Sequence, residues 1–137
     1  MLTKFKKRCI IVLVEWYNGD DMNFSNDKPI YIQLLEQLEI LIVSGKMNLG
    51  QRIPSVRDLS LKYKVNPNTV QKALQELENI GLIYTERTNG KFVTDNKKLI
   101  EKHKYFLASK YTSNYFKNME DLGFVKEEAL NYLKGDK

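Results

Sequence analysis

The sequence has too few cysteine and histidine residues for most disulfide, metal or Cys–His sites. It contains one cysteine, Cys9, and one histidine, His103. A single cysteine excludes an internal disulfide framework, and these two side chains cannot complete a zinc site with ordinary ligands. A catalytic pair would have to join an N-terminal segment to a distant helix. We therefore expect no disulfide, no bound metal and no cofactor.

Long hydrophobic runs are also absent. The longest, residues 9–14, has six residues, whereas a membrane-spanning helix needs about 20. It is short for a signal-peptide core, and no small-residue cleavage site follows it. These absences predict a cytoplasmic protein with no membrane segment.

The composition is that of a globular protein of one domain plus an appendage. The 137 residues are 42% hydrophobic and 28% charged, and 22 Lys and Arg residues exceed 17 Asp and Glu residues by five. Such a positive excess permits binding to a polyanion without proving it. We find no paired carboxylates with a plausible pocket, no phosphate-binding glycine loop and no nucleophile–base pair in motif context, so we expect no enzymatic activity.

The first 21 residues differ from the rest. Basic residues precede the apolar run, and Asn18-Gly19-Asp20-Asp21 indicates a turn or linker before Met22. Two interpretations remain open. Either Met22 is the natural start and residues 1–21 are an over-extended reading frame or an accessory segment, or residues 8–17 form an extra strand or helix of the domain.

Residues 28–94 contain start and stop signals that predict three helices and a hairpin. Asp27 and Pro29 are expected to open a helix that Ser44-Gly45 ends, and residues 49–52 are expected to form a loop. The apolar face of this first helix consists of Tyr31, Leu34, Leu35, Leu38, Leu41 and Ile42.

Two further helices are joined by a tight turn. Ser55 caps the first, residues 55–63, with Asp58 approximating a capping box. Asn66 and Pro67 open the second, residues 67–80, which Gly81 ends. Its buried stripe is Val70, Ala73, Leu74, Leu77 and Ile80. Residues 82–86 and 91–94 then read as a hairpin. We therefore predict a mainly α fold with a small β-hairpin wing and a helix-turn-helix.

A helix-turn-helix places the beginning of its second helix in the DNA major groove. Asn and Gln side chains there can pair with adenine, a Thr methyl can contact thymine, and Lys can bind phosphate or guanine. The wing tip can reach the minor groove, and the start of the first helix can anchor the DNA backbone. The candidate DNA-binding residues are Ser55, Arg57, Asn68, Thr69, Gln71, Lys72, Arg87, Asn89, Gly90 and Lys91.

Each of these residues also has a plainer interpretation. Polar side chains on a helix face are usually just solvated, and Asn66 and Pro67 are better explained as capping residues. Arg57 fits equally well as an ion-pair partner of Asp58 or Glu36, and Gly90 is more often a turn residue than a DNA contact. The combination, rather than any one residue, favours DNA binding.

Residues 95–137 predict a long helix ended by Gly123 and a last short helix over residues 125–133. Their apolar positions are too sparse to form a core alone, so we expect them to pack on the winged domain or on a second copy of the chain. The candidate dimerisation residues are Phe106, Leu107, Tyr111, Tyr115, Met119, Leu122, Leu130 and Leu133.

Taken together, these residues resemble a known family across residues 28–93. The stretches Pro29-x-Tyr31-x-Gln33, Ser44-Gly45, Leu49-Gly50 and Ile53-Pro54-Ser55-x-Arg57-x-Leu59 resemble the beginning of a GntR-family winged helix-turn-helix domain. Thr69-Val70-x-x-Ala73-x-x-x-Leu77-Glu78-x-x-Gly81-x-Ile83 and Gly90-x-Phe92-Val93 continue the pattern. The chain departs from it at Pro67 and Gln71, where members often have basic residues, and at Thr88, where they often have glycine.

The resemblance implies a bacterial transcription regulator that binds operator DNA as a homodimer, with Arg57, Asn68, Thr69, Gln71 and the wing tip facing the DNA. Only 44 residues follow Val93, and the short C-terminal helices resemble the YtrA-type subfamily. There such helices dimerise the protein, and members are often repressors linked to membrane transporter operons.

The working hypothesis is a homodimeric repressor without catalytic activity. We assign residues 1–21 to a leader, 22–94 to the winged DNA-binding domain and 95–137 to a dimerisation and effector segment. The expected partners are a palindromic double-stranded operator, a second copy of the chain and an unidentified small-molecule or envelope signal that releases the DNA. The alternative is a winged-helix protein-interaction module, which acidic residues such as Glu76 and Glu86 on the basic face would favour.

Overall fold

The computed structural model describes residues 24–135, which form five helices and one antiparallel hairpin. The elements are α1 (Ile30–Val43), α2 (Val56–Tyr63), α3 (Pro67–Ile80), β1 (Ile83–Glu86), β2 (Gly90–Val93), α4 (Lys97–Asp121) and α5 (Lys126–Leu133). The predicted fold, mainly α with a hairpin wing, is confirmed. Both interpretations of residues 1–21 lie outside the described residues. No helix in the described part has the length and apolar character needed to cross a bilayer.

The caps around the helix-turn-helix lie where the sequence predicts them. Ser55 Oγ accepts the backbone N–H of Asp58 at 3.1 Å, and Asn66 Oδ1 accepts that of Asn68 at 2.8 Å. Gly81 ends α3 with a φ of 93°, a left-handed conformation that costs glycine little. These side chains satisfy backbone groups that helix ends otherwise leave unpaired, so local chemistry sets the boundaries of α2 and α3.

The predicted N-terminal cap of α1 is wrong. Asp27 does not cap it; the helix begins at Ile30, and Pro29 occupies the cap position without a side-chain bond. The Asp27 carboxylate is hydrogen-bonded to Ser25 instead, which lowers its pKa. Gln33 secures the preceding segment by donating from Nε2 to the carbonyl oxygens of Ser25 (2.9 Å) and Lys28 (2.7 Å).

Residues 51–53 pair with the wing. The sequence predicts a loop over residues 49–52, which includes the first two of these residues. Val93 N–H donates to the Gln51 carbonyl and Ile53 N–H donates to the Lys91 carbonyl, each at 2.8 Å. These two bonds place Arg52 opposite Phe92 in an antiparallel bridge. The pairing adds a third short segment beside the β1–β2 hairpin, and it depends on contacts between residues distant in sequence.

One core joins α1, α2, α3 and the hairpin. The predicted stripe of α3 is buried there, with Ile80 only partly covered. The core also includes residues that periodicity did not indicate: Met47, Ile53, Val65, Leu82 and Val93. Leu99 and Ile100, in the first turn of α4, pack against the same core. α3 is therefore held by the core along most of its inner face, which leaves its polar face outward.

The chain divides into two compact units, the first ending at Ile100 and the second beginning at Glu101. The division falls inside α4, and the assignment of residues 22–94 and 95–137 to two functional segments stays a prediction. In the second unit, Leu107, Met119 and Ala129 are buried. Tyr115 Oη donates to the carbonyl of Ala129 at 2.8 Å and so joins α4 to α5.

Candidate nucleic-acid interface

The first turns of α3 present a row of polar side chains. Asn68, Gln71 and Lys72 are exposed and Thr69 is half-buried, while Val70, Ala73, Leu74 and Leu77 on the opposite face are buried. The structure thus brings together the four α3 residues that the sequence analysis selected. Amide, hydroxyl and ammonium groups at the beginning of a helix can donate to base edges and to phosphate oxygens.

Lys72 is placed by an aromatic ring of α1. Its ammonium nitrogen lies 3.9 Å from the centroid of the Tyr31 ring. A cation held over the face of an aromatic ring in this way is attracted by the π electrons. The sequence pattern places Tyr31 only on the apolar face of α1, because helical periodicity does not indicate which residue of another helix a ring will contact.

The beginning of α2 carries Ser55 and Arg57, both exposed. Because Ser55 Oγ accepts the Asp58 N–H, its hydroxyl proton is left to donate outward. The alternative ion pairs of Arg57 are contradicted: Glu36 accepts from Lys28 at 3.2 Å, and within residues 24–135 no carboxylate pairs with the Arg57 guanidinium. Arg57 therefore keeps an exposed positive charge at a helix N-terminus.

The wing tip is exposed and contains one carboxylate. Arg87 and Asn89 lie in the turn between β1 and β2, and Gly90 begins β2 with a φ of 102°. Asn89 Nδ2 donates to Glu86 Oε2 at 3.2 Å. Arg87 thus supplies the positive charge of the tip, while Glu86 engages the amide of Asn89.

Lys91 is engaged within the protein. Its ammonium pairs with Glu78 Oε2 at 3.1 Å and donates to Thr85 Oγ1 at 2.8 Å. The Thr85 hydroxyl in turn donates to Glu78 Oε1 at 2.8 Å. This closed triangle links α3 to both strands of the wing, so Lys91 orients the wing against α3. That Lys91 also contacts DNA stays a prediction.

This triangle makes stability depend on pH. The hydrogen bonds from Thr85 and Lys91 lower the pKa of Glu78 from its ordinary value of 4.5. The ionised Glu78 side chain therefore makes its full contribution to stability above pH 4.5, and this contribution is lost as the pH falls through the lower folded-state pKa. We expect the free energy of unfolding to fall less on acidification in Glu78→Gln than in the unsubstituted chain. Urea unfolding at a series of pH values measures this difference. Glu76→Gln, on the same helix, is the control; identical profiles for both variants would contradict the assignment.

Arg52 is a candidate that sequence reasoning missed. It is exposed, and its Nε lies 3.3 Å from the point that a side-chain Cβ at Gly90 would occupy. The only local signal was a basic residue in a predicted loop. Its position beside the wing follows from the pairing of residues 51–53 with β2.

The candidate dimerisation residues fall into two groups. Leu107 and Met119 are buried and Tyr115 is half-buried within the second unit, so they contribute to its own packing. The others are large, apolar and exposed: Phe106, Tyr111, Leu122, Leu130 and Leu133. So many exposed apolar side chains on a short helical unit are typical of a surface that another chain covers.

Comparisons with known proteins agree with this architecture. The model of the family described as "Bacterial regulatory proteins, gntR family" matches residues 30–93. The chain is 34% identical over 114 residues to the HTH-type transcriptional regulator YhcF of Bacillus subtilis, covering 83% of this chain and 94% of that protein. It is 44% identical over 70 residues to the HTH-type transcriptional repressor YtrA of the same organism, covering 51% of this chain and 54% of that protein.

Solved structures extend the similarity beyond the family segment. A GntR family transcriptional regulator from Listeria monocytogenes superposes with a TM-score of 0.76 at 38% identity, covering 83% of this chain and 100% of that one. A transcriptional regulator from Oenococcus oeni gives a TM-score of 0.64 at 27% identity, covering 86% and 98%. The similarity to these regulators therefore includes residues outside the segment that the family model matches.

Proposed function

Because the chain belongs to the gntR family of bacterial regulatory proteins, we propose that it is a transcriptional repressor that binds a palindromic operator as a homodimer. The main support for DNA binding is the arrangement of α3. This helix buries its apolar stripe and exposes Asn68, Gln71 and Lys72 near its capped N-terminus. The repressor assignment is supported by the similarity to the relative named a repressor. We assign it no catalytic step.

In this proposal, the beginning of α3 enters the major groove and reads base edges. The exposed charges of Arg57 and Arg87 bind phosphate on either side, and the N-terminal ends of α2 and α3 add N–H groups and the positive end of the helix dipole. Two copies read half-sites about one helical turn apart, which is why a palindromic operator is expected.

The second copy is proposed to pack on the exposed apolar side chains of α4 and α5. A small molecule or envelope signal that alters this packing would change the separation of the two recognition helices and release the DNA. Unchanged operator affinity across a broad metabolite and antibiotic panel would contradict this regulatory step.

The test is a fluorescence-anisotropy titration of the full chain against the duplex upstream of its own gene, with a random duplex as control, at two salt concentrations. We expect tight, selective binding that weakens with salt, because phosphate contacts release counterions. Sedimentation of the same samples gives the stoichiometry. Equal weak binding to both duplexes would overturn the proposal for this site and favour the protein-interaction module, to which the exposed carboxylate of Glu86 at the wing tip is better suited.

Substitutions on α3 should separate base reading from charge. Gln71→Ala is expected to reduce discrimination at one base pair by about 1–3 kcal/mol, because a bidentate amide contact is lost. Lys72→Ala is expected to weaken binding to every duplex and to lower the salt-dependence slope by about 0.9 per phosphate contact. Competition against duplexes with single base changes measures both effects. Gln75→Ala, exposed one turn further along, is the control; an equal loss of discrimination in Gln75→Ala and Gln71→Ala would contradict the assignment.

A further inference from the structure

Arg52 has a backbone position that the wing itself determines. The bonds from Val93 N–H to the Gln51 carbonyl and from Ile53 N–H to the Lys91 carbonyl enclose Arg52 on both sides. Gly50 N–H also donates to the carbonyl of Val93 at 3.0 Å. Three backbone hydrogen bonds within four residues hold the base of the Arg52 side chain at one place along β2.

The face on which Arg52 lies follows from strand alternation. Residues directly opposite in an antiparallel bridge share a face, so Arg52 is beside Phe92. Gly90, two residues before Phe92 on β2, is on the same face. The guanidinium extends along this row toward the wing tip: a Cβ on Gly90 would lie 3.3 Å from Arg52 Nε and 3.5 Å from Nη2. The absence of a side chain at Gly90 leaves the space that the guanidinium occupies.

The charge of Arg52 is unneutralised in the part of the chain that the structure describes. Neither of the ion pairs there involves it. Glu86, opposite Gly90 in the register, is bonded to the amide of Asn89 instead. An exposed guanidinium that is held in place without a carboxylate has its donors directed to solvent or to a ligand.

The surroundings of Arg52 are those of the proposed DNA surface. The segment over residues 51–53 runs antiparallel to β2, so the chain leaves it at the end of β2 where the wing turn lies. Only Ile53 and Pro54 then separate Arg52 from Ser55, which caps α2. The start of α2, the wing turn and the Arg52 side chain are therefore at one end of the sheet.

We propose that Arg52 is a further DNA contact, which binds a backbone phosphate beside the wing and is held there across the bare face of Gly90. This inference rests on the proposed function, since it names an additional residue of the same DNA-binding surface. A guanidinium is suited to the role because its planar donors match two oxygens of one phosphate. The contact is independent of base sequence and adds to affinity rather than to discrimination.

The experiment compares Arg52→Ala, Arg52→Lys and Lys46→Ala in the full chain. Lys46 is an exposed cation in the turn after α1, so its substitution removes the same charge elsewhere. The probe is a duplex enriched by the unsubstituted protein from a randomised library. Anisotropy titrations over a series of salt concentrations give the affinity and the slope of log K against log salt, and thermal unfolding of each variant reports its stability.

We expect Arg52→Ala to weaken binding about tenfold, as for loss of one charge-assisted hydrogen bond, and to reduce the slope by about 0.9. Arg52→Lys should restore most of the slope and Lys46→Ala should change neither, with unfolding temperatures unaltered. The inference is overturned if Arg52→Ala behaves like Lys46→Ala, or if it lowers the unfolding temperature while the slope stays at its original value. Failure of the unsubstituted protein to enrich any duplex would overturn the proposed function itself, and the inference with it.

Discussion

Replacing Leu77 with alanine is expected to lower the free energy of unfolding by about 2–5 kcal/mol. Leu77 is 0% exposed and lies on the buried stripe of α3, between the other helices and the hairpin. Removal of its side chain costs the transfer free energy of the lost atoms and leaves a cavity that α1 and β1 can fill only in part. Because the stripe holds α3 in place, and α3 is the helix proposed to read DNA, we expect DNA affinity to fall with stability.

Urea denaturation at a fixed protein concentration measures this change, since unfolding of a dimer would otherwise vary with concentration. The matched control is Gln75→Ala on the exposed face of the same helix, which should alter stability by no more than about 0.5 kcal/mol. A loss below about 1 kcal/mol for Leu77→Ala would show that the packing around α3 relaxes far more than a well-filled core does.

The second large effect concerns assembly. The double variant Leu122→Asp/Leu133→Asp should convert a dimer to monomers and weaken operator binding about 100- to 10,000-fold, the gain that linked half-site readers provide. Leu122 is 72% exposed and Leu133 is 63% exposed, so the aspartates cost little in a monomer. In a dimer that covers these side chains, each aspartate would be buried without a partner, twice over by symmetry.

Sedimentation velocity and the anisotropy titration measure the two consequences. Leu61→Asp is the control, because Leu61 is 68% exposed on α2 and outside the second unit. It should leave the sedimentation coefficient unchanged. If the double variant sediments as a dimer with undiminished affinity, then the exposed apolar residues of α4 and α5 are not the dimer surface.

The part of the fold that could be predicted is the part that local chemistry sets. Asn66 caps α3 by bonding a backbone N–H two residues away, and Gly81 ends the same helix through its own left-handed conformation. The buried stripe follows from a period of 3.6 residues within one helix. Each of these signals acts within a few residues, so a pattern in the chain was sufficient.

Local signals were insufficient where the deciding partner is distant or where several local bonds compete. Asp27 had the right chemistry for a cap, yet Ser25 bonds its carboxylate and Gln33 secures the segment. Arg57 had two acidic candidates in the sequence, and Glu36 pairs with Lys28 instead. Propensity indicates which bonds a side chain can form, but packing selects among them.

The sequence by itself therefore determined the order of elements, the helix-turn-helix, the exposed polar positions of α3 and, through its motifs, the family. The tertiary structure alone decided that Lys91 orients the wing through Glu78, that Tyr31 supports Lys72, and that Arg52 lies across Gly90. The physical reason is the separation along the chain of the groups that interact. Caps and periodic stripes act within a turn or two of the chain, whereas these three contacts join segments that meet only after the core has formed.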